Sequence, residues 1–208
     1  MPRHWPPLLI GLLMLSYWAS VIVMVVKTKK RVGKAANFLP PEPIGRILRV
    51  LWYPLVVIWI THPITFGFVR KNVERLSWPI RPLVMMRYYA GIPLLIAIAA
   101  FLYTLVCWRK MGKSWRMGID PNETTELIVA GPYAYVRHPI YTLSIVLMLC
   151  TMLILPTPLM LVVGVLHITF LVWEARREEQ YLVHVHGEPY IRYLERVGRF
   201  IPRGPASR

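Results

Sequence analysis

Long apolar blocks divide this chain of 208 residues and limit the folds that are open to it. Residues 8–26, 50–68 and 88–108 each have about the 20 residues that a helix needs to cross a bilayer. Residues 140–155 and 159–173 are shorter, and correspond to helices of about 24 and 22 Å. The pattern predicts an all-α polytopic membrane protein with about five transmembrane helices. The last two either span or form a short hairpin that stops before the far face.

Basic residues flank these blocks, and their placement excludes one class of partner. The formal net charge of +15 suits nucleic-acid binding. The basic residues lie at block ends, however, where they set topology and meet anionic lipid head groups. No soluble module remains to bind nucleic acid, so we expect membrane lipids as the partners instead.

The distribution of Lys and Arg also predicts the orientation. With the N-terminus outside, the cytoplasmic segments hold 19 of these residues and the outside segments 6. The positive-inside rule then predicts a cytoplasmic C-terminus, in a bacterial inner membrane or an equivalent one. Residues 70–87 do not fit this scheme, because they carry five basic residues on the outside.

The chain divides into two regions of different character. We expect residues 1–108 to form three transmembrane helices with a basic connector. Residues 109–208 contain a hairpin, residues 140–173, which turns at Pro-Thr-Pro, residues 156–158, and a C-terminal cytosolic helix. Because both ends of a hairpin lie at one membrane surface, we expect residues 109–139 and this helix to form one polar site there.

The first polar motif, GPYAYVRHPIY at residues 131–141, precedes the hairpin. Pro139 suits the first turn of a helix, so Arg137 would lie near a helix N-terminus with its unpaired N–H groups. Arg137 offers a permanent charge and five donors to a carboxylate or phosphate. The alternative is a topology-setting arginine before a helix-starting proline. The tyrosines form either an interfacial belt or a surface for a base or a sulfonium.

The second polar motif, EARREEQYLVHVHGEPY at residues 174–190, follows the hairpin. On a helix Glu174 and Glu178 share a face, and Glu179 lies about 100° from Glu178. Carboxylates this close to a membrane are costly unless they are paired or functional. They either form a solvated face paired with the neighbouring arginines or bind ribose hydroxyls or a cation.

The histidines and cysteines give weaker signals. His184 and His186 point about 200° apart on a helix, so we predict no metal site there. His62 and His167 lie in apolar blocks, where they are either functional or inward, hydrogen-bonded core residues. The two cysteines also lie in apolar blocks and have no paired ligand nearby, so we expect small core residues rather than a disulfide.

Together, the two motifs, in this order across a hairpin, resemble the isoprenylcysteine carboxyl methyltransferase family and its phospholipid methyltransferase relatives. The resemblance covers about residues 111–202, including GKSWRMG at residues 112–118, HVHGEPYIRY at residues 184–193 and the closing Phe-Ile-Pro at residues 200–202. Family members usually carry glycine two or three residues after the tyrosine of the first motif, where this chain has Leu-Ser. That departure concerns the packing of the hairpin more than the cofactor site.

The resemblance implies an integral-membrane methyltransferase that uses S-adenosylmethionine, with a lipophilic acceptor that enters from the bilayer. The acceptor is an isoprenylcysteine-type carboxylate, a lipid amine or a small thiol. The residues implied in cofactor binding are Gly131, Pro132, Tyr133, His138, Tyr141, Glu178 and Glu179. Carboxylates accept from ribose hydroxyls, and aromatic faces accommodate a sulfonium.

The catalytic candidates under this resemblance are Arg137 and Glu178. Holding two reactants in register supplies most of the catalysis of an in-line methyl transfer. A carboxylate acceptor needs no base and Arg137 would orient it, whereas an amine must lose a proton to a nearby Glu or His. No metal is implied.

Two other classes of function are open on the sequence alone. A membrane lipid reductase that uses NADPH carries a similar RHPxY segment, but in a longer chain with more helices. A non-catalytic membrane or quinone-binding subunit would use the polar motifs only for topology. Oxidation of NADPH with an enone lipid would identify a reductase. If the chain is a non-catalytic subunit, Glu178→Ala and Arg137→Ala should change neither ligand binding nor any activity.

Overall fold

The structure is a computed structural model that describes residues 5–32, 39–68, 89–115, 118–119 and 126–203. It forms six α-helices in these ranges: α1 (Trp5–Val32), α2 (Pro43–Phe68), α3 (Gly91–Met111), α4 (Pro139–Ile154), α5 (Pro158–His186) and α6 (Glu188–Arg196). Two 3₁₀ turns, Gly112–Ser114 and Gly131–Ala134, lie between α3 and α4. The loop of residues 70–87, which does not fit the predicted topology, lies outside the described residues.

The predicted all-α class is confirmed, and most of the described part of each apolar block lies in a helix. Helices α1, α2, α3 and α5 are long and apolar enough to cross a membrane. The remaining one, α4, has only 16 residues. In the part of the chain that the structure describes, the sole β-bridge is an isolated pairing of Val136 with Gly198. The chain is an integral membrane protein.

Helices α1 and α2 run antiparallel, which brings the end of α2 to the start of α1. Gly67, near the end of α2, lies against Leu8 at the start of α1, and a β-carbon at Gly67 would come within 2.9 Å of the Leu8 side chain. Such close approach through glycine is typical of helix packing in membranes. At the opposite end of α2, Arg49 lies beside Glu174 of α5. We call this second end of the bundle the polar end.

The α4–α5 hairpin turns at Pro-Thr-Pro, as the sequence predicts. Thr157 caps α5 by accepting a hydrogen bond from the Met160 amide at 3.2 Å. The Thr157 hydroxyl also lies 2.8 Å from Nε2 of His62 in α2. Six more residues of α2 follow His62 up to Phe68, a rise of about 9 Å. The hairpin therefore turns back about 9 Å before the far end of α2.

Aromatic side chains fill the interior of the bundle. The rings of Trp18 and Trp52 meet edge to face with their centroids 5.3 Å apart. Trp59 is fully buried and donates from its indole to the Thr151 hydroxyl at 2.9 Å, which ties α2 to α4. In lipid, where apolar surface gains little by burial between helices, such packing and hydrogen bonding hold the helices together.

The sequence predicts that His167 is either a functional residue or an inward, hydrogen-bonded core residue, and its contacts are those of a core residue. It is 1% exposed, accepts at Nδ1 from the Trp52 indole at 3.0 Å, and has Nε2 3.1 Å from the Ser144 hydroxyl. Because an indole only donates, the neutral imidazole carries its proton on Nε2 and donates it to Ser144. Ser144 stands where the resemblance leads us to expect glycine, and its side chain links α4 to α5.

The segment after the hairpin consists of two helices joined at Gly187. Helix α5 continues past its apolar part to His186, and Pro189 lies in the first turn of the short helix α6. Gly187 joins the two with φ of +60°, a conformation that side-chain-bearing residues rarely adopt. Its amide donates to the Val183 carbonyl at 2.9 Å and so closes α5. The turn folds α6 back toward the polar end of the bundle.

Candidate functional site

The two polar motifs meet at the polar end of the bundle. Nε2 of His138, from the first motif, lies 3.3 Å from Oε1 of Glu179, and Nδ1 lies 3.6 Å from Oε2 of Glu178. The His138 ring stacks on Tyr141 with centroids 5.4 Å apart and planes at 2°. The prediction that the hairpin brings both motifs to one side is therefore confirmed.

A cavity with about 780 Å³ of empty space opens at this end, and we call it the inner cavity. Polar side chains of the two motifs and of α2 line one part of it: Arg49, Tyr133, Arg137, His138, Tyr141, Glu174 and Glu178. Indole rings line another part: Trp18, Trp52, Trp108 and Trp115. Small-molecule sites are mostly apolar with a few convergent polar groups, and the lining of the inner cavity has this character.

A second cavity of about 500 Å³, the outer cavity, lies alongside the first. The two share Met111, Tyr133, Arg137, His138 and Glu178. The outer cavity is otherwise lined by residues of the loop before α4 and by the C-terminal helices, among them Glu126, Leu182, Tyr190 and Tyr193. The loop before α4 and the C-terminal helices thus line a cavity next to the inner one, and the cofactor site expected there stays a prediction.

The predicted cofactor-binding residues fall into two groups. Tyr133, His138, Tyr141 and Glu178 line the inner cavity. The other three do not line either cavity: Gly131, Pro132 and Glu179. Gly131 starts the 3₁₀ turn with φ of +67° and lies beside the Lys110 side chain, and Pro132 is buried in the same turn.

Glu179 is turned away from the cavities and binds two arginines. It is 6% exposed, and Oε1 accepts from Nε of Arg137 at 2.9 Å and from Nε of Arg199 at 3.0 Å. The hydrogen bonds that Arg199 donates to Glu179 raise the pKa of the Arg199 guanidinium, which therefore stays charged. Glu179 joins the start of α4 to the C-terminal segment.

Arg137 is bonded to protein groups on every nitrogen of its guanidinium. Besides Glu179, it donates from Nη1 to the carbonyl of Leu194 at 3.1 Å and to that of Val197. Its own amide donates to the Gly198 carbonyl at 2.8 Å. The catalytic role that the resemblance implies for Arg137 stays a prediction, and its contacts are those of an anchor for the C-terminal segment.

Three buried donors of the inner cavity have no partner among the described residues. They are the Tyr133 hydroxyl and the indole N–H groups of Trp18 and Trp108. Burial raises the pKa of the Tyr133 hydroxyl well above its usual range, so it stays protonated and able to donate. A buried donor without an acceptor costs about 1–3 kcal/mol. These groups are therefore positioned to donate to a bound molecule.

The Tyr133 backbone is held by a second tyrosine. The Tyr193 hydroxyl donates to the Tyr133 carbonyl at 2.5 Å, and burial raises the pKa of Tyr193 to about 12. The hydroxyl thus stays protonated over the whole neutral range and fixes the 3₁₀ turn against α6. Burial likewise raises the pKa of Tyr190, the neighbouring lining residue of the outer cavity.

Arg49 also lines the inner cavity, and the sequence pattern does not predict this. In the sequence it is simply the last basic residue of the connector before an apolar block. It is 4% exposed, and its Nη2 lies 3.5 Å from Oε1 of Glu174. Its guanidinium lies 5.3 Å from the centroid of the Trp52 ring and 5.6 Å from that of Phe170. One feature of the sequence points to Arg49. It lies at the border of an apolar block, where burying a charge costs free energy unless the charge is functional or paired.

No group of three or more His, Cys, Asp or Glu side chains that could hold a metal ion occurs in the ranges described above. His184 and His186 both lie on α5. Cys107 and Cys150 are buried and unpaired, as expected for small core residues.

Comparison with known proteins adds an independent observation. Residues 91–184 match the model of the isoprenylcysteine carboxyl methyltransferase (ICMT) family. Among solved structures, the chain is similar to the eukaryotic intramembrane Ras methyltransferase ICMT, with a TM-score of 0.50 and 20% sequence identity. That likeness covers 76% of this chain and 64% of the other, and at this identity it concerns the fold alone. No curated protein matches the chain significantly.

The matched segment contains the helices and motifs that build the site. It runs from the start of α3 through the first motif and the hairpin to the glutamates of α5. The two cavities are lined largely by this segment, with α1 and α2 closing the inner one. The part of the chain that is similar to the isoprenylcysteine carboxyl methyltransferase family is therefore the part that supplies most of the lining of the candidate site.

Proposed function

We propose that the chain is a membrane methyltransferase that transfers a methyl group from S-adenosylmethionine to a lipophilic acceptor. The observation that carries this proposal is that both polar motifs meet around two adjacent cavities, which share Tyr133, His138 and Glu178. In the reaction, the bond from carbon to sulfur breaks as the acceptor's lone pair forms the new bond to carbon. The electron pair of the broken bond stays on sulfur, which leaves as a neutral thioether.

The residues at the shared wall of the cavities suit S-adenosylmethionine, which supplies an electrophilic methyl carbon on a sulfonium when bound. The partly exposed carboxylate of Glu178 can accept from ribose hydroxyls in charge-assisted hydrogen bonds. The Tyr133 and Tyr141 rings offer aromatic faces to a cation, and the Tyr133 hydroxyl offers an unused donor. Among the predicted residues, Gly131, Pro132 and Glu179 would support this wall rather than contact the cofactor.

The inner cavity suits the head group of the acceptor. It opens among apolar and aromatic side chains of membrane helices, so a lipophilic molecule from the bilayer can fill it. The indole N–H groups of Trp18 and Trp108 present donors there, and Arg49 presents positive charge. Glu174 also lines the cavity, but it is already paired with Arg177 and Arg49. These groups favour an acceptor with negatively charged oxygens, such as an isoprenylcysteine-type carboxylate, over an amine.

Arg49 is our candidate for the cation that orients this carboxylate. The Arg49 guanidinium is paired with Glu174 and lies in the lining of the inner cavity. The guanidinium of Arg137 instead binds Glu179 and two backbone carbonyls. A carboxylate acceptor needs no general base, so holding and orienting the two reactants is the main task of the site. For an amine acceptor, Glu174 or Glu178 would have to remove a proton.

Methyl transfer into fractionated membranes tests this proposal. Membranes from cells with and without the protein receive S-adenosylmethionine carrying a radiolabelled methyl group. We expect label in a lipophilic product only when the protein is present, and base-labile label if the product is an ester. A base-stable product would identify an amine or thiol acceptor instead. Equal labelling in both membranes, from folded protein, would rule out methyl transfer.

A further inference from the structure

A third cavity lies between α1 and α3, on a different face of α1 from the inner cavity. It contains about 1,140 Å³ of empty space, and we call it the lateral groove. Ala19, Ser20 and Val23 of α1 form one wall, and Trp108 and Arg109 of α3 form the other. The groove is therefore bounded by small and apolar side chains on one side and by an indole on the other.

The surroundings of the groove face the hydrocarbon. Ile22 and Val26 of α1 and Leu102 and Val106 of α3 are all large apolar side chains that are 45–57% exposed. Apolar residues exposed on membrane helices contact acyl chains rather than water. The groove is thus open to the lipids that surround the bundle.

The groove ends in positive charge at the polar end of the bundle. Lys27 of α1 and Arg109 of α3 both line it and both are exposed. None of the described residues that line the groove is acidic. Two cations at the head-group level of an apolar groove complement one phosphate above an acyl chain, and basic pockets of this kind between membrane helices bind anionic lipids.

We propose that the lateral groove binds an anionic phospholipid, with its phosphate at Lys27 and Arg109 and part of an acyl chain against Ala19 and Ser20. Trp108 lines both this groove and the inner cavity, so the bound lipid lies directly behind one wall of the candidate site. The inference does not depend on the proposed methyl transfer, because it rests on charge and shape outside the two motifs.

Lipid retention by the purified full chain tests the proposal. The protein in detergent receives phosphatidylglycerol or phosphatidylcholine with the same acyl chains, and native mass spectrometry counts the retained lipid. We expect retention of phosphatidylglycerol with a saturable stoichiometry of about one, and at least tenfold weaker retention in the double variant Lys27→Gln/Arg109→Gln. Equal retention of both lipids by the unchanged chain would overturn the proposal.

Two further variants separate a defined groove from general surface charge. Lys29→Gln/Lys30→Gln removes the same charge from exposed positions of α1 outside the groove, and we expect it to retain the lipid. Ser20→Trp fills the groove without changing its charge, and we expect it to lose the lipid. If both double variants lost the lipid equally, or if Ser20→Trp kept it, the groove would not be the binding site. Helical content by circular dichroism and the unfolding transition in detergent report that the fold of each variant is intact.

Discussion

Oε1 of Glu179 lies 2.9 Å from Nε and 2.8 Å from Nη2 of Arg137, so one carboxylate oxygen binds one edge of the guanidinium. The two side chains are only 8% and 6% exposed. The same carboxylate accepts from Arg199, near the C-terminal end of the described chain. The pair therefore joins the motif before the hairpin to the segment that closes the site.

We expect Glu179→Ala to destabilise the protein by about 3–5 kcal/mol, because it leaves buried arginine charge uncompensated. The measurement is unfolding of the purified protein in mixed detergent, followed by circular dichroism. Glu188→Ala, at an exposed position of α6, serves as the control and should change stability by less than about 0.5 kcal/mol. If Glu179→Ala kept full stability and lost only ligand binding, Glu179 would be a cofactor ligand as the resemblance implies.

Glu178→Ala should weaken ligand binding and leave the stability nearly unchanged, the opposite of Glu179→Ala. The Glu178 side chain is 33% exposed and lines both cavities, so its loss should cost little stability. We expect S-adenosylhomocysteine to bind at least about tenfold more weakly, since a charge-assisted hydrogen bond contributes about 1.5–3 kcal/mol. Calorimetry of both variants checks this. Unchanged affinity in folded Glu178→Ala would remove Glu178 from the site and would favour the non-catalytic alternative.

Arg49→Lys should separate binding of the cofactor from transfer to the acceptor. A lysine keeps the charge but not the planar fork that recognises a carboxylate. We expect S-adenosylhomocysteine to bind as before, whereas methyl transfer into membranes falls by about 10²-fold through lost orientation. Arg46→Lys, one turn earlier in α2 and exposed, is the matched control. Equal activity of the two variants would exclude Arg49 from contact with the acceptor.

Ser144→Ala should weaken the contact between α4 and α5. It removes the hydroxyl that receives the proton of His167, at a cost of about 1 kcal/mol. Ser144→Gly should cost about 1 kcal/mol more, because glycine is a poor helix former. Unfolding in detergent measures both. A Ser144→Gly variant as stable as the unchanged chain would mean that the serine adds nothing to the hairpin.

The architecture follows from local signals in the sequence. Apolar blocks predict the helices and Pro-Thr-Pro predicts the turn of the hairpin. Both signals are local, because they depend only on residues that are close together in the sequence. Once the hairpin is predicted, the meeting of the two motifs at one end of the bundle follows from geometry.

The roles of individual charged residues cannot be predicted from such local signals, because they depend on how the helices pack. Glu178 and Glu179 are neighbours, yet one lines the cavities and the other binds Arg137 and Arg199. Which one faces inward depends on the rotation of α5 and on the return of the C-terminal segment. Arg49 meets Glu174 across 125 residues of chain, a pairing that only the packing of α2 on α5 creates.

Isothermal titration of S-adenosylhomocysteine into the purified chain measures directly whether the candidate site binds the cofactor product. We expect saturable binding with one molecule per chain, and weakening by at least about tenfold in Glu178→Ala but not in Glu188→Ala. The absence of binding at millimolar ligand, from protein whose helical content and unfolding transition are intact, would show that the chain is not a methyltransferase of this kind.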